Sequence, residues 1–425
     1  MITRIEAMRY RCFEQLDVQV EPYQVIAGVN GSGKTTLLDI PVLLGDMLFA
    51  DVAAAFLQLP AQNGSPRAQS LQELVHHQQG AFFSFALEVK LPEHIAAELM
   101  NPARRKVPKS ILSNPQKAPR AMRYELRLEI FNQVELQVRD EFLYLMPYPS
   151  TKQGSLRSIG QPLSDWKAVI VREDGKPAII TPEFQGKKGL SLRLEPDVLA
   201  LENVFSDLDR FPATSWFKEM LERGMMHYAV DGSALRRACP PGRSFFSPMP
   251  NGANLPWLVM GLKRDRSDLF EAWVNHVQTA LPNIVNIDAI EREDDHHAYL
   301  RVEYAGGYTV TSSGLSDGTL RILALTILPY LGRMPQLICI EEPENGLHPQ
   351  AIETVLQSLS SVYDSQVWVT THSPVVLAHT DLAATILMQQ RDGTAIAVQG
   401  NEHPRLKDWQ GSIDLGSLLA AGVLS

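Results

Sequence analysis

The chain is poor in cysteine, with Cys12, Cys239 and Cys339 scattered singly through 425 residues. No two of them form a CxxC pair, which excludes a zinc module and a disulfide framework and fits a reducing cytoplasm. No apolar run is long enough to span a bilayer, so no integral membrane segment is expected. The opening residues, Met1-Ile2-Thr3-Arg4-Ile5-Glu6, lack the apolar stretch and small-residue cleavage site of a signal peptide. Basic charge is not in excess either. The net charge is −9, so nothing global advertises nucleic acid, although a local patch can hide within such a total. There is no internal repeat and no sustained heptad pattern, which excludes a long coiled coil. What remains is ordinary for a folded chain of two or three domains, with 45% hydrophobic and 20% charged residues.

Residues 1–20 alternate as strands do, with Ile2, Ile5, Leu16, Val18 and Val20 as the apolar positions. Val25-Ile26-Ala27 is a short apolar run that enters a glycine-rich loop and then an apolar helical stretch from Thr35. The polar interval from Gln62 to Gly80 reads as a surface loop. Phe83–Val89 and Tyr124–Ile130 alternate with period two, as half-buried antiparallel strands do. The Pro-, Lys- and Arg-rich stretch from Asn101 to Arg120 reads as an excursion between them. Helical periodicity runs from Trp257 to Leu281 and stops at Pro282. A hairpin is expected over Ile287–Ile290 and Tyr299–Val302, turning at Asp294-Asp295.

Gly28-Val29-Asn30-Gly31-Ser32-Gly33-Lys34-Thr35 fits G-x-x-x-x-G-K-[ST] in full. Its glycines let the backbone wrap a phosphate chain, and the next helix adds its positive N-terminal end. Asn30, Gly31, Ser32, Gly33, Lys34, Thr35 and Thr36 are the expected nucleotide contacts. Lys34 should reach the β- and γ-phosphates, with the Thr35 hydroxyl on Mg²⁺. A chance glycine-rich turn is the plainer alternative.

Leu337-Ile338-Cys339-Ile340 ends in Glu341-Glu342-Pro343, placing two carboxylates at the end of a buried strand, where α/β ligands bind. Glu341 is assigned to Mg²⁺ and Glu342 to the general base for an attacking water. Two solvated glutamates are the rival reading. Gln366–Pro374 is a further strand that ends in a polar cluster containing His372, whose alternative is a structural histidine.

These motifs carry a resemblance. Ser313–Thr319, opening an apolar helix, is similar to the ABC signature, with Ser316 and Gly318 at its matching positions. A serine-rich helix cap is the competing view. Glu341–Pro349 looks like the ATPase core of OLD-like and RecF-like proteins. His372 matches the ABC switch histidine, and Tyr10-Arg11-Cys12-Phe13 resembles the aromatic–Arg–small–Phe segment of SMC/RecF ATPases. Arg11 is the candidate there for reaching nucleotide, with a surface arginine on an edge strand as its rival. Asn254-Leu255-Pro256 also resembles this class. The chain departs from the usual ABC pattern at Glu341 and His348, where that pattern has Asp.

The resemblance covers about the first 90 and last 120 residues. It implies an α/β fold, an ABC-type P-loop ATPase head with a mixed sheet and flanking helices, carrying an α+β insertion. The implied division is 1–95 for an N-terminal ATPase lobe, 96–300 for the insertion and a helical region, and 301–425 for a C-terminal lobe. It further implies ATP and Mg²⁺ as cofactors and hydrolysis by Glu342 with His372. Closure would be between two copies, with Ser316 and Gly318 serving the other copy's nucleotide in a homodimer or higher homo-oligomer. The class includes standalone bacterial ATPases encoded beside a small TOPRIM-like protein. The stretch from Ser373 onward is too short for a TOPRIM domain, so a separate effector is expected, in a cytoplasmic anti-phage role. The alternatives are a RecF-like ATPase acting on DNA and a nucleotide-gated scaffold with negligible turnover. A transporter subunit fits the large insertion less well.

Two further features are weighed. Arg104, Arg105, Lys106, Lys109, Lys117, Arg120, Arg123 and Arg127 form a basic stretch that could meet nucleic-acid phosphates, or be a solvated loop. Asp294-Asp295-His296-His297 has no partner ligands spaced around it and reads as a polar turn rather than a metal site.

Overall fold

The computed structural model describes residues 1–59, 65–101, 114–149, 158–184, 189–205, 207–406 and 415–421. Among them no helix is long and apolar enough to cross a membrane. The chain forms two compact units interleaved in sequence. One holds Met1–Glu21, Gly31–Met225 and Met388–Gln399; the other holds Pro22–Asn30, Met226–Leu387 and Gly400–Ser425. Neither 95/96 nor 300/301 is a boundary between them.

The first unit opens with the hairpin β1 (Ile2–Tyr10) and β2 (Phe13–Gln19). The chain then passes through β3 (Tyr23–Gly28) of the other unit and returns in the helix α1 (Lys34–Asp46). There follow β4 (Phe82–Lys90), β5 (Ala121–Phe131), β6 (Glu135–Met146), β7 (Lys167–Arg172), β8 (Ala178–Ile180) and β9 (Leu190–Leu192). They make one sheet in the order β2-β1-β4-β5-β6-β7-β8-β9, with every pairing antiparallel. Helix α2 (Pro212–Arg223) packs on α1, so closely that a Cβ at Gly45 would collide with the Leu221 carbonyl.

Two expectations fail here. Phe83 through Val89 are all buried rather than alternating in exposure. The period-two pattern is real, but the polar face of the sheet is covered too, because Arg4, Glu6, Glu88, Arg123 and Glu125 pair with one another across β1, β4 and β5. The interval before β4 is likewise no plain surface loop. Its described part buries Arg67, Leu71, Leu74, Val75 and His76.

The second unit is centred on the parallel strands β3, β14 (Leu337–Glu341) and β15 (Gln366–Thr371). After β3 it resumes at Met226 in β10 (Met225–His227), followed by two helices, α3 (Leu255–Asp265) and α4 (Ser267–Ala280). The single expected helix is therefore broken at Arg266, whose φ of −143° leaves the helical region. The break lets Leu258 and Leu262 of one helix and Phe270, Trp273 and Val277 of the other enter the same core. Next comes the expected hairpin, β11 (Ile284–Glu291) and β12 (Ala298–Tyr304), extended by β13 (Tyr308–Thr311). Helix α5 (Asp317–Thr326), β14, helix α6 (Pro349–Ser360), β15 and the start of β16 (Thr385–Arg391) complete the unit; β16 from Met388 and β17 (Thr394–Gln399) belong to the first unit. The sheet order is β10-β14-β15-β3-β16-β17. In the parallel centre, buried on both faces as such strands are, Glu341 is level with Thr370 and Thr371 with Ala27.

Candidate functional site

Parallel register brings three chain segments to one sheet edge of the second unit. β14 ends at Glu341, β15 at Thr371, and β3 at Gly28, where the glycine-rich loop begins. Asn30 is exposed. Gly31 and Gly33 follow with φ of +79° and +94°, the left-handed region that only glycine enters freely. A Cβ on Gly33 would stand 2.8 Å from Cys12 Sγ. Helix α1 starts at Lys34 with no side-chain cap and no acid in its first turn. A helix start without a side-chain cap suits an anion.

Ser32 is buried, and its Oγ has no hydrogen-bond partner among the described residues. An orphan hydroxyl beside an uncapped helix start fits a phosphate group. Lys34 is buried, Thr35 exposed, and Thr36 bonds Cys12, whose thiol is pushed up by burial. Gln390 donates to the Gly31 carbonyl at 2.7 Å, steadying the loop from β16. Arg67 grips α1 from below, with Nε 2.7 Å from Asp39 and Nη2 2.7 Å from Asp46.

Arg11 lies in the β1–β2 turn at φ +52°, not on a strand. Its Nη2 donates to the Arg67 carbonyl at 2.8 Å.

On the carboxylate side, Glu341 is exposed at the strand end. Glu342 has φ +44°, unusual for a residue with a side chain, and its N–H donates to the Thr370 carbonyl at 3.0 Å. Glu342 Oε1 accepts from His372 Nδ1 at 2.8 Å, and Oε2 from Asn345 Nδ2 at 2.7 Å. The structure therefore brings together Glu342 and His372, which the sequence places 30 residues apart.

Ser316 caps α5, its Oγ accepting the Thr319 N–H at 3.1 Å. Gly318 comes so near the loop after β14 that a Cβ would stand 3.0 Å from the Gly346 carbonyl. His348 caps α6 by accepting from Gln350 N at 3.3 Å, the task an aspartate often has at that position.

The sequence reading missed three participants. Glu344 bonds Thr371 from a buried position. Asn345 holds Glu342. Arg236 braces the turn before α5, binding Asp317 and the Leu315 carbonyl. Only Glu344 and Asn345 had a signal, their place in the acidic run after β14.

The structure takes Arg123 out of the basic stretch and gives Arg127 a partner. Arg123 is fully buried among carboxylates, and Arg127 pairs with Asp140 at 3.1 Å. Lys117 and Arg120 are exposed, and Arg104, Arg105, Lys106 and Lys109 lie outside the described residues. The Asp294–His297 segment is a turn, in which His296 bonds Glu291 and His297 bonds Asp295. No group of three or more His, Cys, Asp or Glu that could hold a metal occurs among the described residues.

Residues 246–378 match a family model described as "AAA domain, putative AbiEii toxin, Type IV TA system". A 48-residue stretch is 42% identical to an OLD nuclease from Thermus scotoductus (strain ATCC 700910 / SA-01). That stretch is 11% of this chain and 9% of the relative's length. An SMC head bound to the C-terminal winged-helix domain of ScpA superposes with a TM-score of 0.51 at 11% identity, over 93% of this chain and 97% of that one. The SMC head with an extended coiled coil, bound to the C-terminal domain of ScpA derived from Pyrococcus furiosus, gives 0.47 at 12% identity, over 93% and 95%. The chain thus has the mixed α/β fold of an SMC-head P-loop ATPase, and its residues 246–378, which hold Ser316, Glu342 and His372, match an AAA-type ATPase domain.

Proposed function

We propose that the chain binds and hydrolyses ATP between two copies of itself. The observation that carries this reading is the Glu342–His372 pair, fixed at the strand edge from which the glycine-rich loop departs. Gly28–Thr36 would cradle the phosphates through backbone N–H groups, the uncapped start of α1 and the Ser32 hydroxyl. Lys34 would sit on the β- and γ-phosphates. Thr35 and Glu341 would hold Mg²⁺, which when bound neutralises charge on the phosphate oxygens.

Glu342 would take the proton of the attacking water as the water oxygen bonds the γ-phosphorus and the bond from that phosphorus to the β–γ bridging oxygen breaks, giving phosphate and ADP. His372 and Asn345 each occupy one oxygen of that carboxylate, so it is held in one orientation before substrate arrives. Its positive φ is the kind of local strain that collects at functional sites. Ser316 and Gly318, at the start of α5, would meet the γ-phosphate held by the second copy. Arg11 would approach the nucleotide from the β1–β2 turn.

Our reading of its biology is a regulatory subunit in bacterial anti-phage defence, acting with a separate effector such as a TOPRIM-like nuclease; its support is the toxin–antitoxin wording of the family description and a 48-residue likeness to an OLD nuclease. The free thiols Cys12, Cys239 and Cys339 fit a cytoplasmic setting. The test is the mass of the chain with ATP and Mg²⁺, wild type against Glu342→Gln. A nucleotide-dependent shift to dimer or larger, stabilised in the variant, is the expected result. A variant that stays monomeric with ATP and hydrolyses at full rate overturns the proposal.

A further inference from the structure

Glu344 has no task in the hydrolysis scheme, yet it is a carboxyl only 8% exposed at the centre of the site. Its Oε1 accepts the Thr371 hydroxyl, and its Oε2 has no hydrogen-bond partner among the described residues. Burying such a group is costly. Burial, before any other cause, pushes this carboxyl above the usual glutamate range, and nearby Glu342 adds to the rise.

The bond to Thr371 joins two segments. Glu344 belongs to the turn that carries Glu342, and Thr371 directly precedes His372 at the end of β15. Thr371 Oγ1 also accepts the Ser373 N–H at 2.9 Å, so its hydroxyl is oriented with the proton toward Glu344. Within the turn, Asn345 N donates to the Glu342 carbonyl and Leu347 N to the Glu344 carbonyl, both at 3.0 Å. Those bonds hold the turn to itself. Glu342 sits at φ +44°; its N–H is tied to the Thr370 carbonyl of β15, and the Glu344–Thr371 bond adds a second tie from the turn to that strand.

We propose that Glu344 is a positioning residue whose bond to Thr371 sets Glu342 against His372 before nucleotide binds. This rests on Glu342 being the base. Glu344 accepts one hydrogen bond and needs no charge for it, so a glutamine can serve and an alanine cannot.

The test measures ATP hydrolysis, binding of a fluorescent ATP analogue, and the His372 ¹³Cδ2 resonance in Glu344→Gln, Glu344→Ala, Thr371→Ser and Thr371→Val. The resonance, assigned with His372→Asn, reports which ring nitrogen carries the proton. Expected are kcat losses of about 10- to 100-fold in Glu344→Ala and Thr371→Val, the scale of a small misplacement. KM and analogue binding should stay unchanged. Glu344→Gln and Thr371→Ser should stay within about threefold of wild type. The Glu344→Ala/Thr371→Val double variant should be no worse than either single one.

In the absence of nucleotide, His372 should keep its proton on Nδ1 in wild type and Glu344→Gln, and lose that preference in Glu344→Ala. An unchanged tautomer in Glu344→Ala overturns the proposal, and so does Glu344→Gln as inactive as Glu342→Gln. Full hydrolysis by Glu342→Gln would instead sink the reading of Glu342, and the tautomer measurement would still decide the role of Glu344.

Discussion

Arg123 Nη2 lies 2.7 Å from Glu6 Oε2, although the two residues are 117 positions apart in the chain. The same guanidinium reaches Glu88 at 2.7 Å and Glu125 at 2.6 Å, and it has no exposed surface. Removing one partner of a buried ion pair leaves the others charged and unpaired, which costs about 3–5 kcal/mol. Arg123→Met is therefore expected to lower unfolding stability by that amount, read from urea denaturation. A loss below about 1 kcal/mol would mean that water or Arg4 takes over the compensation.

Arg123 also shows where the sequence was silent. In the chain it is one more cation in a basic stretch, because its counter-charges come from β1 and β4 and from a neighbour two positions on. The glycine-rich loop, the carboxylate strand and the position of His372 were legible, since each rests on a local pattern of residue type and spacing. The Glu342–His372 contact followed only from parallel register, which local pattern does not specify. Glu344 was visible as a letter but not as a buried group, because burial is decided by β15 packing against the turn. The break at Arg266 was hidden for a similar reason: helical periodicity continues through it on both sides.

Gly33 combines a left-handed backbone with a close neighbour, whereas Gly31 has the first without the second. Gly31→Ala should cost only the conformational penalty, about 1–2 kcal/mol. Gly33→Ala adds a clash with Cys12 Sγ at 2.8 Å, so it should lower the thermal midpoint further and weaken ATP binding more. Removing the sulfur in Gly33→Ala/Cys12→Ala should restore part of the difference. Equal effects of the two single alanines, by thermal melts and fluorescent ATP titration, would show that the Cys12 contact yields without cost.

The raised carboxyl of Glu344 sets a sign for pH. Raised by burial first, it holds its proton in the folded chain to higher pH than in the unfolded chain. Its contribution is therefore fully present below the ordinary glutamate range and is lost as pH rises through the folded value. Glu141 and Glu183, raised by burial in the first unit, act in the same direction. Glu344→Gln removes one of these terms. The urea midpoint of the variant, relative to wild type, should move in the variant's favour from about pH 4 upward. A constant difference across that range would show that Glu344 ionises in the fold as it does in the unfolded chain.

Trans action by Ser316 makes a prediction that no single-site scheme shares. If each nucleotide needs Lys34 from one copy and Ser316 from the other, Lys34→Ala and Ser316→Arg should each abolish hydrolysis alone. A Lys34→Ala copy paired with a Ser316→Arg copy leaves one intact site, formed by the second copy's glycine-rich loop and the first copy's signature turn. Equal mixing gives half mixed dimers with one working site in two, so about a quarter of wild-type activity should return. The mixture should be made by co-expression with two different tags, and the doubly tagged dimer assayed against each singly tagged one. Recovered activity in the mixed dimer requires that the signature turn of one chain serve the nucleotide of the other. Its absence, with mixed dimers verified by mass, would place Ser316 in service of its own chain, where it already caps α5.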